Sequence, residues 1–165
     1  MNKSLAICPG SFDPVTLGHL DVISRASGMF EKVIVVILKN ANKTYSFSPE
    51  ERAELLKKTI KAAGLNNVEV DAYDGLLADY AKQHGAKIIL KGLRAMSDFE
   101  YEFQMALANK KLNPDIETVF ITTAAENMYL SSSMVKQIAS MGGDVTEFVP
   151  TAIHNDIIKR LRKEV

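Results

Sequence analysis

The sequence predicts an α/β domain, with a five-stranded parallel sheet covered by helices on both faces. Two observations carry that prediction. Apolar runs of strand length alternate with stretches of helical periodicity along the chain. One run, Val33-Ile34-Val35-Val36-Ile37-Leu38, is apolar at every position, as a central parallel strand buried on both faces requires. A third observation places a site on that fold. The first strand ends in a Pro/Gly/Ser/Asp turn that opens a helix, a junction suited to phosphate.

The first strand is Leu5 to Cys8. A helix over about 17–28 follows, with Leu20, Val22, Ile23 and Ala26 at helical spacing. After the strand at 33–38, the helix at about 49–63 has Ser48 as N-cap, Pro49 at its first position and Glu50-Glu51 in its first turn. Gly64 is placed to end it. Val68 to Ala72 is a shorter, alternating strand, followed by a helix at about 76–84 that ends near His84-Gly85. Ile88 to Leu90 and Thr118 to Ile121 complete the strands, with helices at about 98–112, 132–141 and 150–163. Right-handed crossovers and the strand order 3-2-1-4-5 set the turns after strands one and four across the switch-point crevice, where such sheets bind ligands. The arrangement is Rossmann-like. No repeat, low-complexity tract or linker divides residues 1–165, so one domain is expected.

Composition bounds the function. The 165 residues are 47% hydrophobic and 24% charged, ordinary for a globular chain that buries a core. Lys plus Arg equals Asp plus Glu at 20 each, so no net positive charge draws nucleic acid, and any phosphate-binding charge must be local. A single cysteine, Cys8, excludes an internal disulfide and fits a reducing compartment. Asn2-Lys3-Ser4 precedes only a short apolar run, and nothing approaches the ~18 apolar residues of a membrane span. A cytoplasmic protein without membrane contact is expected.

The string Pro9-Gly10-Ser11-Phe12-Asp13-Pro14-Val15-Thr16-Leu17-Gly18-His19 is the most informative segment. The first turn of its helix offers unpaired N–H groups and the positive end of the dipole, and Gly18 permits close approach. That dipole disfavours a cationic histidine, so His19 makes sense beside an anion. Thr16-Leu17-Gly18-His19 resembles the (T/H)xGH signature of the nucleotidyltransferase superfamily. Three further segments follow in order: Lys91-Gly92-Leu93-Arg94, Asp98-Phe99-Glu100-Tyr101-Glu102 and Leu130-Ser131-Ser132-Ser133-Met134-Val135-Lys136. With the first string they resemble bacterial phosphopantetheine adenylyltransferase over nearly the whole chain, without large insertions.

That resemblance implies transfer of AMP from ATP to 4′-phosphopantetheine, giving dephospho-coenzyme A and pyrophosphate, by in-line attack of the acceptor phosphate on the α-phosphorus. It implies that His19 stabilises the transition state there, with Lys43 and Arg94 as further catalytic cations. ATP contacts are implied for Ser11, the Phe12 backbone N–H, His19, Gly92, Leu93, Arg94, Glu102, Asn127, Met128, Tyr129, Leu130, Ser131, Ser132 and Ser133. The acceptor would meet Ser11, Lys43, Leu77 and Lys91. Mg²⁺ is expected to neutralise the triphosphate, although no carboxylate cluster resembles a dedicated metal cage. Feedback binding of coenzyme A is left open.

The chain departs from the pattern in a few places. Lys91 stands where many relatives have arginine, which keeps the charge and loses the bidentate fork. Asn127 stands where some have tryptophan. In the superfamily's ISSTxxR motif, Leu130, Ser133 and Lys136 replace Ile, Thr and Arg. Cys8 borders the site but reads as a small buried strand residue, and His84 and His154 receive no role.

The helix at 98–112 has two apolar stripes. Phe99, Phe103, Ala106 and Leu107 form one, expected against the chain's own core. Tyr101, Met105, Ala108 and Leu112 form the other, with Asp98, Glu102 and Asn109 on a polar edge between them. A bare second stripe predicts a homo-oligomer, and the resemblance implies a hexamer. Two other functions stay open at this point. One is a related transferase with another acceptor, such as nicotinate mononucleotide or a cytidylyl acceptor. The other is a nucleotide sensor, disfavoured by His19 and the paired cations.

Overall fold

Strands Leu5–Gly10 (β1), Lys32–Leu38 (β2), Val68–Tyr73 (β3), Ile88–Leu93 (β4) and Glu117–Thr122 (β5) form one sheet in the order β3-β2-β1-β4-β5. Every pairing is parallel. The order is the predicted one. The computed structural model describes residues 4–39 and 43–162. Its helices are Leu17–Met29 (α1), Pro49–Ala62 (α2), Leu77–Gln83 (α3), Met96–Leu112 (α4), Ser132–Ser140 (α5) and His154–Leu161 (α6), with 3₁₀ turns at Ala125–Asn127 and Thr151–Ile153.

Period-two alternation in the central strands feeds two cores. Cys8, Val35, Ile37 and Leu90 point to one face and meet Ile23 and Ala26 of α1, Leu55, Leu56 and Ile60 of α2, Val135 of α5 and Ile157 of α6. Ile7, Ile34, Val36 and Ile89 point to the other and meet Ala78, Tyr80 and Ala81 of α3, together with Ile116. The predicted N-cap of α2 forms a full capping box: Ser48 Oγ accepts from the Glu51 N–H, and Glu51 reaches back to the Ser48 N–H. Gly64, at φ 68°, ends that helix in the left-handed region that favours glycine. No helix among the described residues is long and apolar enough to cross a membrane.

The ladders explain where the crevice opens. β1 pairs with β2 over its whole length, from Leu5↔Lys32 to Gly10↔Ile37. It pairs with β4 only at Ala6↔Ile88 and Ile7↔Ile89. Beyond Ile7 the two strands part, while β4 stays paired to β5 as far as Leu93↔Thr122. The carboxyl halves of β1 and β4 therefore bound a gap at the switch point.

Three expectations need correction. β4 does not stop at Leu90; Lys91, Gly92 and Leu93 are strand residues, because the ladder with β5 continues through a segment that reads as a turn. The last helix starts at His154, after a 3₁₀ turn, rather than at 150. On α4, the stripe expected to pack inward is largely bare: Phe103 is 46% and Leu107 56% exposed. Phe99 alone of that stripe makes ring contacts inward, edge-on to Phe120 of β5. Among the described residues α4 supplies none to either apolar core; its buried side chain is the polar Asn109, and the cavity runs beneath the helix.

Candidate active site

A cavity of about 1120 Å³ fills that gap and the space under α4. Of the residues implicated from sequence, Ser11, Phe12, His19, Lys43, Leu77, Lys91, Gly92, Arg94, Glu102, Leu130, Ser131, Ser132 and Ser133 all line it. Leu93, Asn127, Met128 and Tyr129 are not among the lining residues; Met128 and Tyr129 are 48% and 59% exposed.

His19 is locked by the start of its own helix. Thr16 is the N-cap of α1, and its hydroxyl accepts from the His19 N–H at 3.3 Å. In return the Thr16 N–H donates to His19 Nδ1 at 3.0 Å. Nδ1 is thus an acceptor, so the neutral ring carries its proton on Nε2. The Phe12 ring meets the imidazole edge-on, with centroids 5.1 Å apart. Burial pushes the imidazole pKa down to about 4, with Arg94 and then Lys91 adding to the shift. His19 as a residue is half-buried and lines the cavity, and all three causes act in one direction. His19 is therefore a neutral hydrogen-bond donor at pH 7, which resolves its conflict with the helix dipole.

Three of the cleft cations are already paired. Lys91 Nζ lies 3.2 Å from Glu102 Oε2, across from β4 to α4. Arg94 Nε lies 3.2 Å from Asp98 Oδ2, and Arg94 Nη1 donates to the Leu130 carbonyl at 2.6 Å. Lys136 Nζ lies 2.8 Å from Asp13 Oδ2. The buried Asp13 also accepts from the Ser46 N–H at 3.0 Å and the Phe47 N–H at 2.9 Å, which ties the β2–α2 loop to the β1–α1 turn. Lys43, exposed on that loop, makes no ion pair with any described residue. A phosphate entering here would trade places with carboxylates of comparable charge, so the cations are held in position without being neutralised permanently.

The serines divide their work. Ser131 Oγ accepts from the Met134 N–H as N-cap of α5, and Ser132 Oγ donates to the Pro14 carbonyl at 2.7 Å. Ser133 is exposed to the cavity. Cys8 is buried and its thiol is pushed up to about 12 by burial, so it supplies no thiolate nucleophile. His84 caps the C-terminus of α3 and stacks on Tyr80, away from the cavity.

Comparisons with known proteins give the chain its family. A family model described as cytidylyltransferase-like matches residues 7–138. Phosphopantetheine adenylyltransferase of Clostridium tetani is 56% identical over 157 residues, covering 95% of this chain and 97% of its own length. The chain belongs to the phosphopantetheine adenylyltransferase family. The enzyme of the same name from Caldanaerobacter subterraneus is 54% identical over 96% of this chain and 98% of its own. More distant solved structures share the fold. A nicotinic acid mononucleotide adenylyltransferase from Plasmodium falciparum superposes with a TM-score of 0.71 at 16% identity, over 95% of each chain. Like its family, the chain is a nucleotidyltransferase.

Sequence reasoning missed the ion-pair partners Asp98 and Asp13, and it gave Arg52 no attention. For Arg52 a signal existed: it falls on the buried stripe of α2, in register with Leu55, Leu56, Thr59 and Ile60. Nothing in the spacing of Asp13 and Lys136, 123 residues apart, announces their contact.

Proposed function

We propose that this chain transfers the adenylyl group of ATP to the phosphate of 4′-phosphopantetheine, releasing pyrophosphate and dephospho-coenzyme A. The observation that carries the reading is a neutral His19, with Nε2–H unused by its cap, between the parted strands β1 and β4. Near-full-length identity of 56% to a phosphopantetheine adenylyltransferase supports the choice of acceptor.

The acceptor phosphate is already ionised at pH 7, so no general base is needed. One of its oxygens attacks the α-phosphorus in line, that P–O bond forms, and the bond to the β-phosphate oxygen breaks, with pyrophosphate leaving. Nε2–H of His19 donates to an α-phosphate oxygen as negative charge builds there. Lys43 and Lys91 hold the acceptor phosphate, and Arg94 and the α5 N-terminus hold the ATP phosphates. Glu102, bound to Lys91, faces the nucleoside side, and Leu77 lies along the pantetheine arm. Backbone groups of Leu93 and of residues 127–129 would complete the ATP contacts.

Mg²⁺ enters with ATP as part of the substrate. The cleft carboxylates Asp13, Asp98 and Glu102 are each committed to a cation, and no three His, Cys, Asp or Glu side chains converge among the described residues. They are poor candidates for a resident metal cage. Coenzyme A, which carries the product's skeleton, would enter the same cleft. Self-association into a hexamer and a cytoplasmic location belong to the same reading.

Pyrophosphate release tests it. Purified protein with ATP and Mg²⁺ should release pyrophosphate when 4′-phosphopantetheine is added and not with nicotinate mononucleotide. Equal turnover with the nicotinate nucleotide would overturn the choice of acceptor.

A further inference from the structure

Arg52 has no part in the reaction as drawn, yet its side chain is only 1% exposed. Its Nη1 donates to the Ser11 carbonyl at 2.8 Å and its Nε to the Ser48 carbonyl at 3.4 Å. The guanidinium carbon lies 4.2 Å from the centroid of the Tyr45 ring. Arg52 takes part in none of the ion pairs formed among the described residues. Arginine cannot shed its proton, so this is a buried charge whose hydrogen bonds go to carbonyl oxygens, with a ring face beside it and the exposed Glu50 carboxylate as a more distant charge partner.

The second observation is the direction of one peptide. The Ser11–Phe12 bond is trans, so its C=O and N–H point opposite ways. With the Ser11 carbonyl drawn to Arg52, the Phe12 N–H is turned away from α2. It has no partner among the described residues, and Phe12 lines the cavity. Phe12 also sits at φ 49°, a left-handed backbone that a non-glycine residue adopts only when its surroundings impose it.

We infer that Arg52 is a positioning residue for phosphate binding. It turns the Ser11–Phe12 peptide so that the Phe12 N–H faces the phosphate. The inference rests on Ser11 and Phe12 forming the phosphate turn, as proposed above.

Wild-type protein, Arg52→Met and Arg52→Lys separate the cases, with inorganic pyrophosphate as probe. Three measurements are made on each: the Phe12 amide resonance during titration, the ligand-free melting temperature, and kcat and KM for both substrates. In wild type the Phe12 amide should move on titration. Arg52→Met should lose about tenfold or more in pyrophosphate affinity, the scale of a lost charge-assisted hydrogen bond, whatever its ligand-free melting temperature. Its kcat should fall more than its KM for the pantetheine substrate rises. A merely structural arginine would lower the melting temperature and leave pyrophosphate affinity intact, and that result overturns the inference. Should Arg52→Met fail to fold, Arg52→Lys decides. It keeps the charge and loses the two-nitrogen grip, so a displaced Phe12 amide with reduced kcat is expected; wild-type values for both would sink the inference. A wild-type Phe12 amide indifferent to pyrophosphate brings down the phosphate-turn reading and the inference with it. A responsive wild type and an equally responsive Arg52→Met overturn the inference alone.

Discussion

His19 sits in the first turn of α1, where the helix dipole, Lys91 and Arg94 all disfavour a positive ring, and burial adds the largest push. With the folded pKa near 4, below the ordinary histidine value, the unfolded chain binds this proton more readily than the folded one. The stability contribution of neutral His19 is therefore present above the unfolded pKa and is lost as pH falls through 6.5 towards about 4. Nitrogen-detected NMR should show a neutral, Nε2-protonated ring that does not titrate from pH 8 down to about 5, the opposite of a free histidine. A midpoint near 6.5 would refute this account. His19→Ala should lower turnover by roughly 10²–10³-fold with the fold intact, the usual loss of a preorganised donor. The sequence made this residue legible because Thr16-Leu17-Gly18-His19 encodes both the cap and the ring. It could not reveal the pairing of Lys91 with Glu102, because that contact depends on how α4 folds back along β4.

Among elements, the contact between α1 and β4 decides how the cleft is shaped. Gly92 lies in β4, and a Cβ added there would sit 2.8 Å from Val22 Cγ2 on α1. The missing side chain lets the helix that carries His19 approach the strand that carries Lys91. Gly92→Ala should therefore destabilise by about 1–3 kcal/mol, the range for overpacking, and should also raise KM by moving α1. Val22→Ala removes the opposing methyl groups, so the double variant should lose less than the sum of the two single variants in urea unfolding. Simple additivity would mean that the glycine does not set this approach. Strand existence and order were legible from apolar runs and their spacing. The far end of β4 was not, since Lys91-Gly92-Leu93 reads as a turn and is held extended by its ladder with β5.

Over the whole molecule, α4 is the element that the chain does not finish. The stripe expected to meet a partner, Tyr101, Met105, Ala108 and Leu112, instead lines the cavity, because α4 roofs it; Phe103 and Leu107, 46% and 56% exposed, lie outside that lining, and Val119 of the neighbouring β5 is 39% exposed. The two stripes were legible in the sequence. Which stripe would face the cleft and which would stay bare was not, because periodicity counts faces and says nothing of how a helix sits over its sheet. Apolar surface of this extent is seldom left bare on a soluble monomer, and a second copy can cover it by the same patch under symmetry. Light scattering behind size exclusion should give a mass near six times 18.2 kDa at micromolar protein. Leu107→Glu tests the cause, because Leu107 lies outside the cavity lining and its charge would be buried in the assembly. That variant should run as a smaller species while keeping its fold by circular dichroism. Because α4 also carries Glu102 and roofs the cavity, dissociation should raise KM for the pantetheine substrate. A wild-type monomer at 18.2 kDa would show that α4 stays bare in solution, and the assembly would have to be abandoned.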